Sequence, residues 1–188
     1  MYMCDRGAAV TRLKSVELFG GAGGLALGLH KSGFDTQMFV EWDRWACDTV
    51  RENADAGYRA VKSWQVHQGD VRDVDWTSLE STDIDLVSGG PPCQPFSMGG
   101  RARAADDHRD MFPATSEVIR KLQPRAFILE NVRGLTRGAF ANYLQLIMLR
   151  LQYPELGPRE GESWADHLAR LQAEHTGLVE VVVVVVGD

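Results

Sequence analysis

Short apolar runs that stop on glycine, proline or an acid alternate along this chain with longer stretches mixing apolar and polar positions at helical spacing. The short runs predict strands at Val16–Phe19, at Gln37–Val40 ending in Glu41, before Asp70 in HQGDVRDV, at Asp85–Ser88 and over Ala126–Arg133, the last read as a buried strand. Helices are predicted after the glycines that follow Phe19, carrying Leu25, Leu27, Leu29 and His30, and then over Arg44–Ala54, Met111–Leu122, Phe140–Gln152 and Ser163–Glu174. A Pro/Gly-containing connector, Tyr153–Glu162, precedes the last of these helices, and the valine-rich run Leu178–Val186 reads as one more buried strand. Strands alternating with helices imply an α/β domain whose mostly parallel sheet is joined by right-handed crossovers and carries helices on both faces.

Composition narrows this without changing it. With 188 residues, 44% of them apolar, the chain can bury the core of one domain. No repeat, membrane span or secretory signal is evident, and MYMCDRGAAV at the start lacks an apolar stretch of sufficient length. Three cysteines without paired spacing fit a reducing cytoplasm.

The candidate chemistry lies at the predicted strand ends. In DLVSGGPPCQPFS, Gly89, Gly90, Pro91 and Pro92 stop a strand and present Cys93 on a turn at its carboxyl end, the side on which open α/β sheets bind ligands. An isolated cysteine is ordinarily a small buried hydrophobe, but the surrounding prolines and glycines make a loop, which suits a nucleophile better. Cys4 and Cys47 have no metal-ligand spacing to Cys93 or to a histidine, so no metal is expected. AFILENVR delivers Glu130 and Asn131 at the end of another strand, where a thiol and a carboxylate would face one pocket.

At the amino-terminal end, Gly20, Gly21, Gly23 and Gly24 form a tight turn between strand and helix, letting a ligand approach the backbone and the helix amino terminus. Such a turn also suits nicotinamide or flavin enzymes, or no ligand at all. About twenty residues on, Glu41 stands where an acid holds ribose hydroxyls. Trp42 is placed either to pack against an adenine or to fill the core, and Asp70 either to accept from an adenine amino group or to sit solvated in a loop.

ELFGGAGG, EWD, GDV, GGPPCQPFS and ENVRGL occur in the order and approximate spacing of the first six motifs of the C5-cytosine DNA methyltransferases, which the chain resembles from about Ser15 to about Arg150. The resemblance implies a Rossmann-like methyltransferase fold, S-adenosyl-L-methionine as cofactor, and transfer of its methyl group to carbon 5 of a flipped cytosine in double-stranded DNA. It makes Cys93 the nucleophile and Glu130 the carboxyl that supports addition, with Asn131 orienting that strand end and Arg133 binding phosphate or base. Phe19, Glu41, Trp42, Asp70 and Val71 become cofactor contacts beside Gly21, Gly23 and Gly24, and Pro92 packs near the methionine end.

The polar segment Ser97–Asp110 follows the nucleophile and reads as a mobile lid or as a merely solvated loop. As a lid it would bring Ser97, Arg101, Arg103 and Arg109 to DNA phosphates and Gln94 to the gap left by the base. A net charge of −6 is discordant with a chain that grips DNA by itself. The resemblance therefore implies that residues 1–188 are the amino-terminal part of a catalytic domain incomplete at its carboxyl end. The target-recognition region would lie elsewhere, in a split enzyme's second polypeptide or lost by truncation. A transfer-RNA cytosine methyltransferase of the same family and an inactive cofactor- or partner-binding fragment are the other readings, with a nicotinamide oxidoreductase a distant fourth.

Overall fold

The computed structural model describes residues 12–80, 82–92 and 110–174. Five strands, β1 (Leu13–Leu18), β2 (Phe34–Glu41), β3 (Gln65–Gln68), β4 (Leu86–Gly89) and β5 (Ala126–Leu129), form one sheet in the order β3-β2-β1-β4-β5. Every pairing is parallel. The strand order reverses between β1 and β4, the position at which doubly wound sheets open a crevice beyond their carboxyl ends.

Alternation along the strands sends side chains to two separate cores. Val16 and Leu18 of β1 and Met38 and Val40 of β2 join the larger cluster, whereas Phe39 lies in the smaller one. Helices α1 (Gly24–Lys31) and α2 (Arg44–Asp55) bring Ala26 and Val50 to the smaller core. The larger is closed by Val118, Ile119 and Leu122 of α4 (Phe112–Leu122) and by Leu146, Ile147 and Leu149 of α5 (Ala141–Gln152). A short helix, α3 (Thr77–Glu80), precedes β4, and α6 (Trp164–Glu174) packs on α5. Both faces of the sheet thus carry helices.

Element ends follow local chemistry. Asp43 caps α2 by accepting from the Ala46 amide at 2.9 Å, Pro113 opens α4, and Gln123 closes it in the left-handed conformation. Ser163 accepts from the Asp166 amide at 3.2 Å at the start of α6.

Two expectations are corrected. The predicted Ala126–Arg133 strand ends at Leu129, since Asn131 turns inward and a 3-10 turn occupies Arg133–Thr136. That strand is also not buried on both faces. Phe127 and Leu129 pack on the larger core, but Ala126 is exposed and Ile128 is 42% exposed, because β5 forms the sheet margin among the described residues. Leu178–Val186 lies outside the described residues.

Candidate active site

β1 runs into the turn Phe19–Gly23, where Phe19 adopts φ 54°, Gly21 φ 53° and Gly23 φ 91°. Glycine suits this left-handed backbone at two of those positions, and Phe19 takes it despite its side chain. The turn is tied to the end of β2. The Gly20 amide donates to the Val40 carbonyl at 3.2 Å and the Gly21 amide to Glu41 Oε2 at 2.8 Å. The other Glu41 oxygen accepts from the amides of Trp42 at 2.9 Å and Asp43 at 2.8 Å. Three backbone donors therefore fix one carboxylate at the sheet rim, each oxygen keeping some acceptor capacity.

Glu41 extends this order to β3, its carbonyl accepting from the Gly69 amide at 2.9 Å. Asp70 then caps a 3-10 turn over Val71–Asp73. Arg72 grips it from two nitrogens, Nε to Oδ1 at 2.9 Å and Nη2 to Oδ2 at 2.5 Å, and its amide adds a third bond at 2.9 Å. These hydrogen bonds from Arg72 hold the Asp70 carboxyl below the usual carboxylate range.

A cavity of about 540 Å³ opens over these strand ends. It brings together Phe19, Glu41, Trp42, Asp70, Val71 and Pro92, six residues named from the sequence. Trp42 is 77% exposed, which removes the core reading of that residue. Gly21, Gly23 and Gly24 are not among the lining residues. Arg72 and Met111 are, and the sequence reading passed over both. Arg72 had a signal, since an arginine two residues after a rim aspartate has the reach to pair with it.

The cavity continues to Gly90 and Pro92 beyond β4. Glu130 follows β5, its amide donating to the Gly89 carbonyl at 2.9 Å and its carboxylate lying over Gly90, where a Cβ would stand 3.1 Å from Oε2. Asn131 is buried. Its Nδ2 donates to the Pro91 carbonyl at 2.8 Å while its Oδ1 accepts from the Val132 amide at 2.9 Å. The residues after β5 therefore hold the Gly90–Pro92 turn by one side-chain bond to Pro91 and hold the end of β4 by one backbone bond to Gly89. Glu130 and Arg133 are exposed. Cys93, Gln94, Ser97, Arg101, Arg103 and Arg109 lie outside the described residues. Cys47 is buried and donates its thiol to the Glu41 carbonyl at 3.3 Å, and burial first of all raises its pKa, which makes it a structural thiol.

A five-stranded parallel sheet with an acid at the end of β2 and another beyond β3, both lining one cavity, has the build of an α/β domain that takes a ligand beyond its strand ends. The comparisons narrow the class. The model of the C-5 cytosine-specific DNA methylase family matches residues 13–153, and the chain belongs to that family. It is 44% identical over 140 residues to the Type II methyltransferase M.NaeI of Lentzea aerocolonigenes, an alignment covering 74% of this chain and 32% of that protein. It is 41% identical to M.NgoMIV of Neisseria gonorrhoeae, over 69% of this chain and 38% of the relative. The chain spans about a third of the length of these curated relatives. Among solved structures, a putative DNA modification methyltransferase from an Escherichia coli prophage superposes with a TM-score of 0.57 at 27% identity, covering 72% of this chain and 36% of that one. Spodoptera frugiperda DNMT2, at 20% identity and a TM-score of 0.51 over 74% of this chain and 41% of its own, shares the fold.

Membership in this family implies S-adenosyl-L-methionine as the cofactor. The residues present fit it. Rim carboxylates suit ribose hydroxyls and an adenine amino group, the exposed Trp42 face and Phe19 suit an adenine ring, and the cavity continues toward the Gly90–Pro92 turn. Among the described residues no helix is long and apolar enough to cross a membrane.

Proposed function

We propose that this chain is the cofactor-binding and nucleophile-bearing part of a DNA (cytosine-5-)-methyltransferase of the restriction-modification type, acting in the cytoplasm on double-stranded DNA. The observation that carries this reading is a continuous cavity that runs from Glu41, Trp42 and Asp70 to Pro92, the residue immediately before Cys93. Identities of 44% and 41% to Type II methyltransferases support DNA over transfer RNA as substrate.

In this mechanism Glu41 would accept from the ribose hydroxyls and Asp70 from the adenine amino group, and Trp42 and Phe19 would cover the base. When bound, the cofactor supplies an electrophilic methyl sulfonium. Carbon 5 of cytosine is a weak nucleophile. The Cys93 thiolate adds to carbon 6, the displaced ring electrons reach N3, and the Glu130 carboxyl meets the charge there by hydrogen bonding or proton donation. Glu130 is exposed in this structure, so the base itself, flipped from the duplex, must exclude water from it. Carbon 5 would then take the methyl group, the cofactor's sulfur leaving as a neutral thioether; passage of the carbon 5 proton to water, with N3 giving back any proton it took, would expel the Cys93 thiolate and restore the ring. Asn131 acts on this chemistry by fixing the Pro91 carbonyl two residues before the nucleophile.

A net charge of −6 supports a division of labour in which basic surface for the phosphates, and the target-recognition region, come from outside these 188 residues. The test is trapping by DNA containing 5-fluorocytosine, with the chain supplied with a polypeptide carrying the recognition region. A covalent adduct is expected, and Cys93→Ser should abolish it; an adduct retained in that variant overturns the assignment. Labelled methyl transfer by the chain alone is expected to be undetectable, and sequence-specific methylation by it would overturn the division of labour.

A further inference from the structure

Two aromatic rings that the proposed chemistry leaves unused lie directly beneath the glycine turn. Phe39 of β2 is fully buried, and Trp64, just before β3, is 7% exposed. Their rings stack with centroids 5.3 Å apart and planes 16° from parallel. A Cβ placed on Gly20 would fall inside the van der Waals envelope of the Phe39 ring, and one on Gly23 would stand 3.1 Å from the Trp64 ring. The Phe39 ring has little freedom to swing away, because Trp64 stacks on it and Ala26, Val50 and Val61 fill the rest of that core. Nothing lies within 4 Å of a Cβ placed on Gly21 or Gly24. Glycine at 20 and 23 therefore answers to the protein's own aromatic floor, in addition to any ligand above the turn.

The turn resting on this floor shapes the cavity. Its course holds Phe19 in the lining at φ 54° and brings the Gly21 amide onto Glu41, while the Gly23 amide closes it on the Gly20 carbonyl at 2.9 Å. Neither Phe39 nor Trp64 lines the cavity. We infer that the stacked Phe39–Trp64 pair is a positioning device for cofactor binding, setting the path of the glycine turn from below and thereby the placement of Phe19 and Glu41. This inference rests on the reading of the cavity as the S-adenosyl-L-methionine site.

The experiment combines residue-resolved amide hydrogen exchange with calorimetric titration of S-adenosyl-L-methionine, both on the full chain. Trp64→Leu is expected to speed exchange at Gly21 and Gly23 and to weaken cofactor binding, each by about tenfold, the scale of a lost aromatic pair. The amides of Val87 and Ser88 in β4 should keep their protection, and Trp64→Phe, which retains a ring, should recover most of both losses. Unchanged exchange at the two glycines, or an equal loss of protection at the turn and at β4, overturns the inference, because the second result is what general destabilisation produces. Should Trp64→Leu fail to fold, Gly20→Ala tests the other contact of the pair with the turn, that of the Phe39 ring. It should lose protection at the turn, and adding Phe39→Leu, which removes the ring atoms the new methyl meets, should restore it; a Gly20→Ala chain with an unaltered turn overturns the inference. Failure of the unaltered chain to bind S-adenosyl-L-methionine overturns the site reading alone, since exchange at Gly21 and Gly23 still decides the positioning role.

Discussion

The two halves of the sheet rim are built differently. At the ends of β1, β2 and β3, one carboxylate accepts from three backbone amides, a guanidinium grips another from two nitrogens, and an aromatic pair supports the turn from below. At the ends of β4 and β5, the turn leading to Cys93 is held by Asn131 on Pro91 and the end of β4 by the Glu130 amide on Gly89, while Ile128 and Glu130 face solvent. A cofactor half can be preorganised, because its ligand is the same at every turnover. If the β4 and β5 end receives a base extruded from DNA, as the proposed function has it, leaving its carboxylate open until the base arrives is an advantage.

The junction of the halves is the strongest place to break this arrangement. A Cβ on Gly89 would press into the Leu18 carbonyl, a backbone atom that cannot rotate away, so Gly89→Ala should cost ~3 kcal/mol or more in urea denaturation. Wild-type stability in that variant would mean that β1 and β4 are less tightly apposed than described.

The same two strands carry a buried acid. Glu17 is 2% exposed and accepts from the Ser88 hydroxyl, and burial pushes its pKa from an ordinary 4.5 up to about 7 despite that bond. A pKa raised on folding means the folded state favours the protonated acid. The contribution is fully present below about pH 4.5 and is lost as pH rises to about 7. Over that window the chain should lose about 3 kcal/mol that Glu17→Gln does not lose. Parallel stability–pH curves for the two proteins would remove Glu17 as the cause.

Smaller effects separate the halves by function. Glu41→Ala strips the acceptor from three amides and should weaken S-adenosyl-L-methionine binding by roughly 2 kcal/mol in calorimetry, with Asp70→Ala similar. Unchanged affinity in both would take them out of the site. Asn131→Ala should cost about 1 kcal/mol of stability and lower cofactor affinity less than Glu41→Ala does, while slowing adduct formation at Cys93 in the complemented enzyme. Equal loss of cofactor affinity in that variant would show that the two halves are not independent.

Most element boundaries were legible locally. Periodicity and turn residues placed α2, α4 and α5 within a residue of where they lie, because helix period, an Asp43 cap and Pro113 act over a few positions. The residues at strand ends were legible too, since glycines, prolines and acids at the close of apolar runs are the signature of a ligand rim. β5 was misjudged for a physical reason: AFIL is equally apolar whether one face or two is covered, and burial is decided by neighbours that local sequence does not name.

By itself the sequence determined the alternation of elements, the parallel sheet and the chemical types gathered at its rim, because each follows from short-range periodicity and turn chemistry. Tertiary structure alone decided that Glu41 at the end of β2 accepts from the Gly21 amide beyond β1, and that Asp70 beyond β3 stands at the same cavity. It also decided that Asn131 reaches back to Pro91 and that Phe39 finds Trp64 beneath the glycines. Those partners are brought together by strand order and by the sheet's two faces, and distances of this kind exist only once the chain has folded.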